Sequence, residues 1–270
     1  MWPPRCSLRV IRCPPRGLSA AAPSLPTQAW TARRAAASRS RAACKACACG
    51  PAKPVPRPRL GKRAALRCAR MSDFVYLASQ SPRRRQLLEQ LGVRHELLLP
   101  DEDEDAEALE AVHANEAPLA YVKRVTSLKL DAAVARLKRR GLRPAPVLCS
   151  DTTVAQGRTI FGKPADAKDA ARMLGALSGA THRVLTAVAV QHARRRFETV
   201  SVSQVSFDAL TSSQIRAYVT TGEPMGKAGA YAVQGRFAMH ISRINGSYSG
   251  IMGLPLQETA HLLRAAGLKI

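Results

Sequence analysis

No aspartate or glutamate precedes Asp73 in this chain of 270 residues, and all 19 acidic residues lie from there onward. Residues 1–70 instead hold 16 Lys+Arg, ten of the 18 prolines and six of the seven cysteines in an Ala-, Arg-, Pro- and Ser-rich background. Such a stretch cannot bury enough apolar surface to offset the entropy of ordering it. The chain is therefore expected to divide into a disordered basic extension, 1–70, and one folded domain, 71–270, long enough to enclose a substantial core. The formal charge of +23 invites a nucleic-acid reading. From Met71 onward, however, 26 basic residues face the 19 acidic ones, a formal +7, and no basic stripe interleaves with aromatics. We expect no nucleic-acid partner. No apolar segment reaches the length needed to span a bilayer, so no membrane partner is expected either.

The extension has three readings. Its prolines spoil the amphipathic helix of an organelle transit peptide, and it lacks the uninterrupted apolar core of a secretory signal. The reading favoured here is an upstream start codon in GC-rich coding sequence, because Met71 directly precedes the first strand-like run. Cys44-x-x-Cys47-x-Cys49 has no second Cys or His pair at zinc-site spacing, so no closed tetrahedral shell is expected. Cys149, in Pro146-Val147-Leu148-Cys149, reads as a small buried hydrophobe. One thiol in the folded part permits no internal disulfide, which fits a cytoplasmic protein.

Along the folded part, short apolar runs alternate with helix starts. Phe74–Ala78 reads as a buried strand. Ser81 as N-cap and Pro82 at the first helical position predict a helix with Leu87, Leu88 and Leu91 on one face. A second strand is expected over 95–99, then an acidic connector from Asp101 to Glu110. Pro118 opens a longer helix with Val122, Val125, Ala132 and Ala133 on one stripe, and Lys129 falls on that stripe. Val147–Ser150 is expected as a central strand ending at Asp151, with a short strand at 158–161. Asp166 caps a helix ended by Gly179. A strand pair is expected at 184–190 and 199–207 around an exposed turn, 192–196. Thr211-Ser212-Ser213-Gln214 is a capping box. A glycine-rich stretch, 222–235, leads to a strand at 238–244 and a last helix at 256–266. Alternating strands and helices with one adjacent strand pair predict an α/β fold with a mixed sheet and flanking helices.

Ser81-Pro82-Arg83-Arg84 places two arginines where a helix presents free N–H groups and partial positive charge. That arrangement suits an arriving anion; solvated surface arginines are the plain alternative. Asp151 at a strand end lies where open α/β sheets place ligands. It could hold magnesium, orient a water or cap a turn. Glu102, Asp103 and Glu104 add carboxylates without His or Cys, a set suited to magnesium, or to nothing more than a solvated loop. Lys129 on an apolar stripe must snorkel or meet an anion, and Gly162-Lys163-Pro164 adds a cation in a constrained turn. With Arg83 and Arg84, four cations could surround a polyphosphate. Gly226–Gly235 has glycines spaced for close backbone approach, and Gln234 could read a base edge. The stretch matches neither the Walker A pattern nor the dinucleotide fingerprint.

Taken in order, Leu77-Ala78-Ser79-x-Ser81-Pro82-Arg83-Arg84, Ser150-Asp151-Thr152, Gly162-Lys163-Pro164, Leu177-Ser178-Gly179-x-Thr181-His182, Gly222-Glu223-Pro224, Lys227-Ala228-Gly229-Ala230-Tyr231, Asn245-Gly246-Ser247-Tyr248 and Gly253-Leu254-Pro255 resemble the Maf family of nucleoside triphosphate pyrophosphatases. The resemblance covers Met71 to Ile270. It implies an α/β fold of two lobes around a cleft, shared with the inosine triphosphatase group, and cleavage of a triphosphate to monophosphate and pyrophosphate with a divalent metal, Mg2+ or Mn2+. It implies Asp151 as general base or metal ligand and Glu104 as a second metal carboxylate. Ser79, Arg83, Arg84, Lys129, Lys163 and Lys227 match substrate-binding positions, while Arg83, Thr152 and Gln234 resemble the branch that takes dTTP and UTP. Gly226 stands where the family usually has aspartate, which puts part of the metal or loop chemistry in question. The rival readings are a non-catalytic nucleotide-binding regulator of cell division and, less well supported, a nucleic-acid-binding protein. The sequence leaves open whether the chain forms a homodimer.

Overall fold

The computed structural model describes residues 72–101, 104–105 and 108–270. The extension 1–70, its Cys44–Cys49 cluster, Glu102 and Asp103 lie outside the described residues. The described part is a mixed α/β structure around a seven-stranded sheet. Its strands are β1 (Val75–Leu77), β2 (His95–Leu97), β3 (Val147–Gln156), β4 (Thr159–Phe161), β5 (Thr181–His192), β6 (Arg195–Phe207) and β7 (Ile241–Asn245). The helices are α1 (Pro82–Gln90), α2 (Pro118–Arg139), α3 (Ala167–Leu177), α4 (Ser212–Val219), α5 (Tyr248–Met252) and α6 (Leu256–Ala265).

The order across the sheet is β2-β1-β3-β5-β6-β7, with β4 also paired to β3. β1 runs parallel to β2 and β3, whereas β3, β5, β6 and β7 pair antiparallel. On one face α2 lays Tyr121, Val122 and Val125 on Ala155, Leu185 and Ala187, and Leu130 and Ala133 on Tyr76, Val147 and Cys149. On the other, Leu87 and Leu88 of α1 and Leu263 of α6 cover Leu77, Leu148 and Val188. Each such fully buried leucine contributes roughly 1.5–3 kcal/mol of transfer free energy. Beyond them α3, α4 and the segment 228–240 close over Val154, Val184 and Phe207.

Most expected elements form, and the differences have local causes. β3 does not end at Asp151 but continues to Gln156, because Val154 and Ala155 are buried and gain β4 as a partner. The β5–β6 pair is longer than its apolar run, since His192 pairs with Arg195 across a two-residue turn whose Ala193 has φ 54°. Backbone pairing there carries charged side chains outward. The strand expected at 238–244 is a 3-10 helix over Arg236–His240 followed by β7, because Phe237 anchors the segment in the aromatic cluster. α5, hidden within Asn245–Gly253, is capped by Ser247, whose hydroxyl accepts from the Gly250 N–H. Ser81 occupies the N-cap of α1 but makes no side-chain cap bond; its own N–H donates to Ser79 Oγ. Asp166 and Thr211 cap α3 and α4 as expected.

Candidate active site

β1 pairs with β3 only at Val147 and Leu148, and β4 only from Val154 onward. Between them, Cys149 to Thr153 keep β5 on one side, and among the described residues no strand covers the other. A cleft of about 880 Å³ opens at this gap. Successive side chains of a strand point to opposite faces, so Asp151 reaches the α2 side while Ser150 and Thr152 reach the α5 side.

On the α2 side, Lys129 Nζ donates to Asp151 Oδ1 at 2.7 Å and to Glu110 Oε1 at 2.6 Å. Lys163 Nζ reaches the same Glu110 carboxylate, 3.0 Å from Oε2. Burial alone would raise the Glu110 carboxyl, but Lys129 and Lys163 hold it below its ordinary range. Burial likewise opposes the charge on Lys129, and Asp151 and Glu110 together push its ammonium above the usual value. Two carboxylates from different elements thus converge on one cation. Glu104 also lines the cleft but is engaged by Arg136 and Arg139. Arg136, 3% exposed, also donates to the Leu98 carbonyl at 2.9 Å. Its spacing of seven residues from Lys129 on α2 was the one pattern signal for it.

On the other side, the Arg84 guanidinium is built into the scaffold. Nε donates to the Gly253 carbonyl at 2.9 Å, one terminal nitrogen to Ser79 Oγ at 3.0 Å, and the other to Thr152 Oγ1 at 3.5 Å. Gly253 has φ 119°, and a Cβ there would lie 3.4 Å from Arg84 Nε, so the residue permits this approach. Arg83 differs, because its Nε is buried without a hydrogen-bond partner among the described residues. Burial, and then Arg84, lower its affinity for its proton. Lys227 donates to the Glu223 carbonyl, and its ammonium is held below the ordinary range by burial and then by Arg83. Three cations therefore crowd one wall.

The Lys227 loop is fixed from beneath. Gly229, at φ 70°, donates its N–H to the Gly162 carbonyl at 3.0 Å, and a Cβ there would meet Val154 Cγ1 at 2.9 Å. Tyr231 OH lies 2.9 Å from Nε2 of the fully buried His182. Gln234 is exposed at the cleft margin. Gly226 also has positive φ, 71°, with open space among the described residues where a side chain would stand, so packing among them does not exclude the missing aspartate. Cys149 is 1% exposed, and burial pushes its thiol up to about 12, as befits a buried hydrophobe rather than a nucleophile.

The structure brings Asp151, Glu104, Ser79, Arg83, Arg84, Lys129, Thr152, Lys163, Lys227 and Gln234 to one cleft. Sequence reasoning missed Glu110, one acid among several in the connector, and Gly253, whose role depends on a contact 169 residues away.

A mixed α/β protein whose cleft sets paired carboxylates opposite a crowded cationic wall is the class that fold and site define. Residues 74–266 match the family described as Maf-like protein, and the chain belongs to that family. It is 73% identical over 199 residues to a dTTP/UTP pyrophosphatase of Polaromonas sp. (strain JS666 / ATCC BAA-500), covering 74% of this chain and 98% of that protein. The dTTP/UTP pyrophosphatase of Albidiferax ferrireducens is 70% identical over 200 residues, 74% of this chain and 100% of the relative. That of Cupriavidus metallidurans is 62% identical over 198 residues, 73% of this chain and 99% of the relative.

Proposed function

We propose that this chain hydrolyses nucleoside triphosphates, dTTP and UTP foremost, to the monophosphate and pyrophosphate. The observation that carries the reading is the wall formed by Arg83, Arg84 and Lys227. Each of Arg83 and Lys227 is disfavoured by burial and by a like-charged neighbour, an arrangement that a polyanion relieves. The dTTP/UTP pyrophosphatases to which the chain is 73% and 70% identical support the same activity and the same pyrimidine nucleotides.

In this reading water attacks the α-phosphorus, the bond from the α-phosphorus to the bridging oxygen breaks, and pyrophosphate leaves with that oxygen. Asp151, oriented by Lys129, accepts the proton of the water. Arg83, Arg84, Lys163 and Lys227 neutralise charge developing on the leaving group. The residues fit a divalent ion such as Mg2+ or Mn2+, because hard carboxylate oxygens of Asp151 and Glu110 already converge on one ammonium. Magnesium is commonly held by one or two carboxylates with substrate phosphates completing its shell. Such an ion would supply charge neutralisation on the phosphate oxygens. Glu110 already meets the same ammonium as Asp151, whereas Glu104 is turned to Arg136 and Arg139, so Glu110 is the better partner for Asp151. We further read the cleft as lying between two lobes, and the protein as a cytoplasmic enzyme whose residues 1–70 take no part in hydrolysis.

Pyrophosphate release from a panel of canonical and modified triphosphates tests the proposal, and turnover is expected to be fastest with dTTP and UTP. Stoichiometric nucleotide binding without release would favour a non-catalytic sensor instead. If Asp151→Asn hydrolyses dTTP as fast as the unaltered protein, the role given to Asp151 is wrong.

A further inference from the structure

Thr186 is 1% exposed on β5 and lies directly across from Thr152 of β3. Its hydroxyl oxygen is 2.7 Å from the Gly250 carbonyl oxygen and 3.0 Å from Thr152 Oγ1. A carbonyl only accepts, so the single Thr186 proton must point at Gly250. Thr152 must then donate to Thr186, which commits its own single proton away from the cleft. What Thr152 presents to the cleft is lone pairs, and there Arg84 donates to it at 3.5 Å. The direction of every bond in the series Arg84, Thr152, Thr186, Gly250 is thereby determined.

We propose that Thr186 is a positioning residue that makes Thr152 an acceptor-only oxygen and, through it, fixes the Arg84 guanidinium. This inference rests on reading the cleft as a triphosphate site and sharpens the role of Thr152 within it. An ionised phosphate oxygen has only lone pairs, so Thr152 in this state does not bind phosphate; it holds the arginine that does. Thr186 also anchors α5 at Gly250, three residues before the Gly253 carbonyl that receives both Arg84 Nε and Ser150 Oγ at 2.9 Å. Two attachments of one guanidinium therefore converge on a single buried hydroxyl. A side chain held rigid in this way loses less freedom when the anion arrives.

The test is a double-mutant cycle on dTTP hydrolysis with Thr152→Val, Thr186→Val and the combination. Each single change is expected to lower kcat/KM about tenfold, through kcat as well as KM, the size of one hydrogen bond to a charged network. The double variant is expected to fall little further, because both changes cut the same series. Thr186→Ser, which keeps the hydroxyl, should stay within about twofold of the unaltered protein. Multiplicative losses in the double variant, or full activity of Thr186→Val, would overturn the proposal. A readout that needs no substrate separates this outcome from failure of the hydrolase reading. The Arg84 Nε–H resonance, assigned by its disappearance in Arg84→Lys, should exchange with solvent faster in Thr186→Val than in Thr186→Ser, and equal exchange would sink the inference whatever the activity. Thr186→Ala carries the same expectations if the valine variant folds poorly.

Discussion

Asp151 and Thr152 are consecutive in β3 yet serve opposite faces of the sheet, Asp151 Oδ1 meeting Lys129 Nζ at 2.7 Å and Thr152 Oγ1 meeting Thr186 Oγ1 at 3.0 Å. A strand with both edges paired would keep these two groups apart. Here, among the described residues, the edge from Cys149 to Thr153 lacks a strand partner on one side, so one cleft reaches both faces. The carboxylate chemistry and the arginine wall thus meet across a single residue step.

The two candidate carboxylates should separate by mutation. Glu110→Gln removes a charge that shares Lys129 with Asp151, and pyrophosphate release is expected to fall about a hundredfold, within the range of a lost electrostatic or acid–base group. Glu104→Ala instead strips Arg136 and Arg139 of a carboxylate. It should cost on the order of 1–3 kcal/mol of stability, read from denaturant midpoints. A larger activity loss at Glu104 than at Glu110 would reverse the assignment.

Arg84 and Arg83 are not equivalent. Arg84 spends three donors on Gly253, Ser79 and Thr152, a fork that lysine cannot reproduce. Arg84→Lys is expected to lower kcat/KM for dTTP by roughly a hundredfold or more, two or three charge-assisted bonds being lost or bent. Arg83→Lys keeps the charge of a residue whose Nε has no partner among the described residues, and should lose less. Steady-state kinetics of the two variants side by side decide the point.

Gly229→Ala tests the seating of the Lys227 loop. The new methyl would lie 2.9 Å from Val154 Cγ1 at a backbone φ of 70°. Strain and overpacking together predict a loss of about 2–3 kcal/mol, visible as a lower Tm. Adding Val154→Ala should recover part of the loss by relieving the clash. If the double variant is as unstable as the sum of the two single ones, the contact does not limit the loop.

His182 gives the fold a pH dependence. Burial lowers its pKa from 6.5 to about 4. The unfolded chain then takes up a proton before the folded one does. The stability held above pH 6.5 is therefore lost as pH falls, and the loss levels off below about 4. The full effect is roughly 3 kcal/mol. Between these limits Tm should drop less steeply in His182→Gln than in the unaltered protein, and parallel profiles would place the titration elsewhere.

The helix starts at Pro82 and Pro118, the caps at Asp166 and Thr211 and the buried run at Val147 were legible because each depends on neighbours within a turn or two. The same locality made Ser81-Pro82-Arg83-Arg84 and Asp151 visible as candidates, and the ordered motifs carried the family. Tertiary structure alone decided that β3 continues past Asp151, that Glu110 rather than Glu104 shares a lysine with it, and that Gly253 and Thr186 hold Arg84. Those outcomes rest on where β1 stops pairing, on which acid of a long connector a distant ammonium captures, and on contacts between residues 64 and 169 positions apart. Such contacts leave no periodic trace in a sequence, since hydrogen-bond partners are chosen by the packed geometry rather than by spacing along the chain.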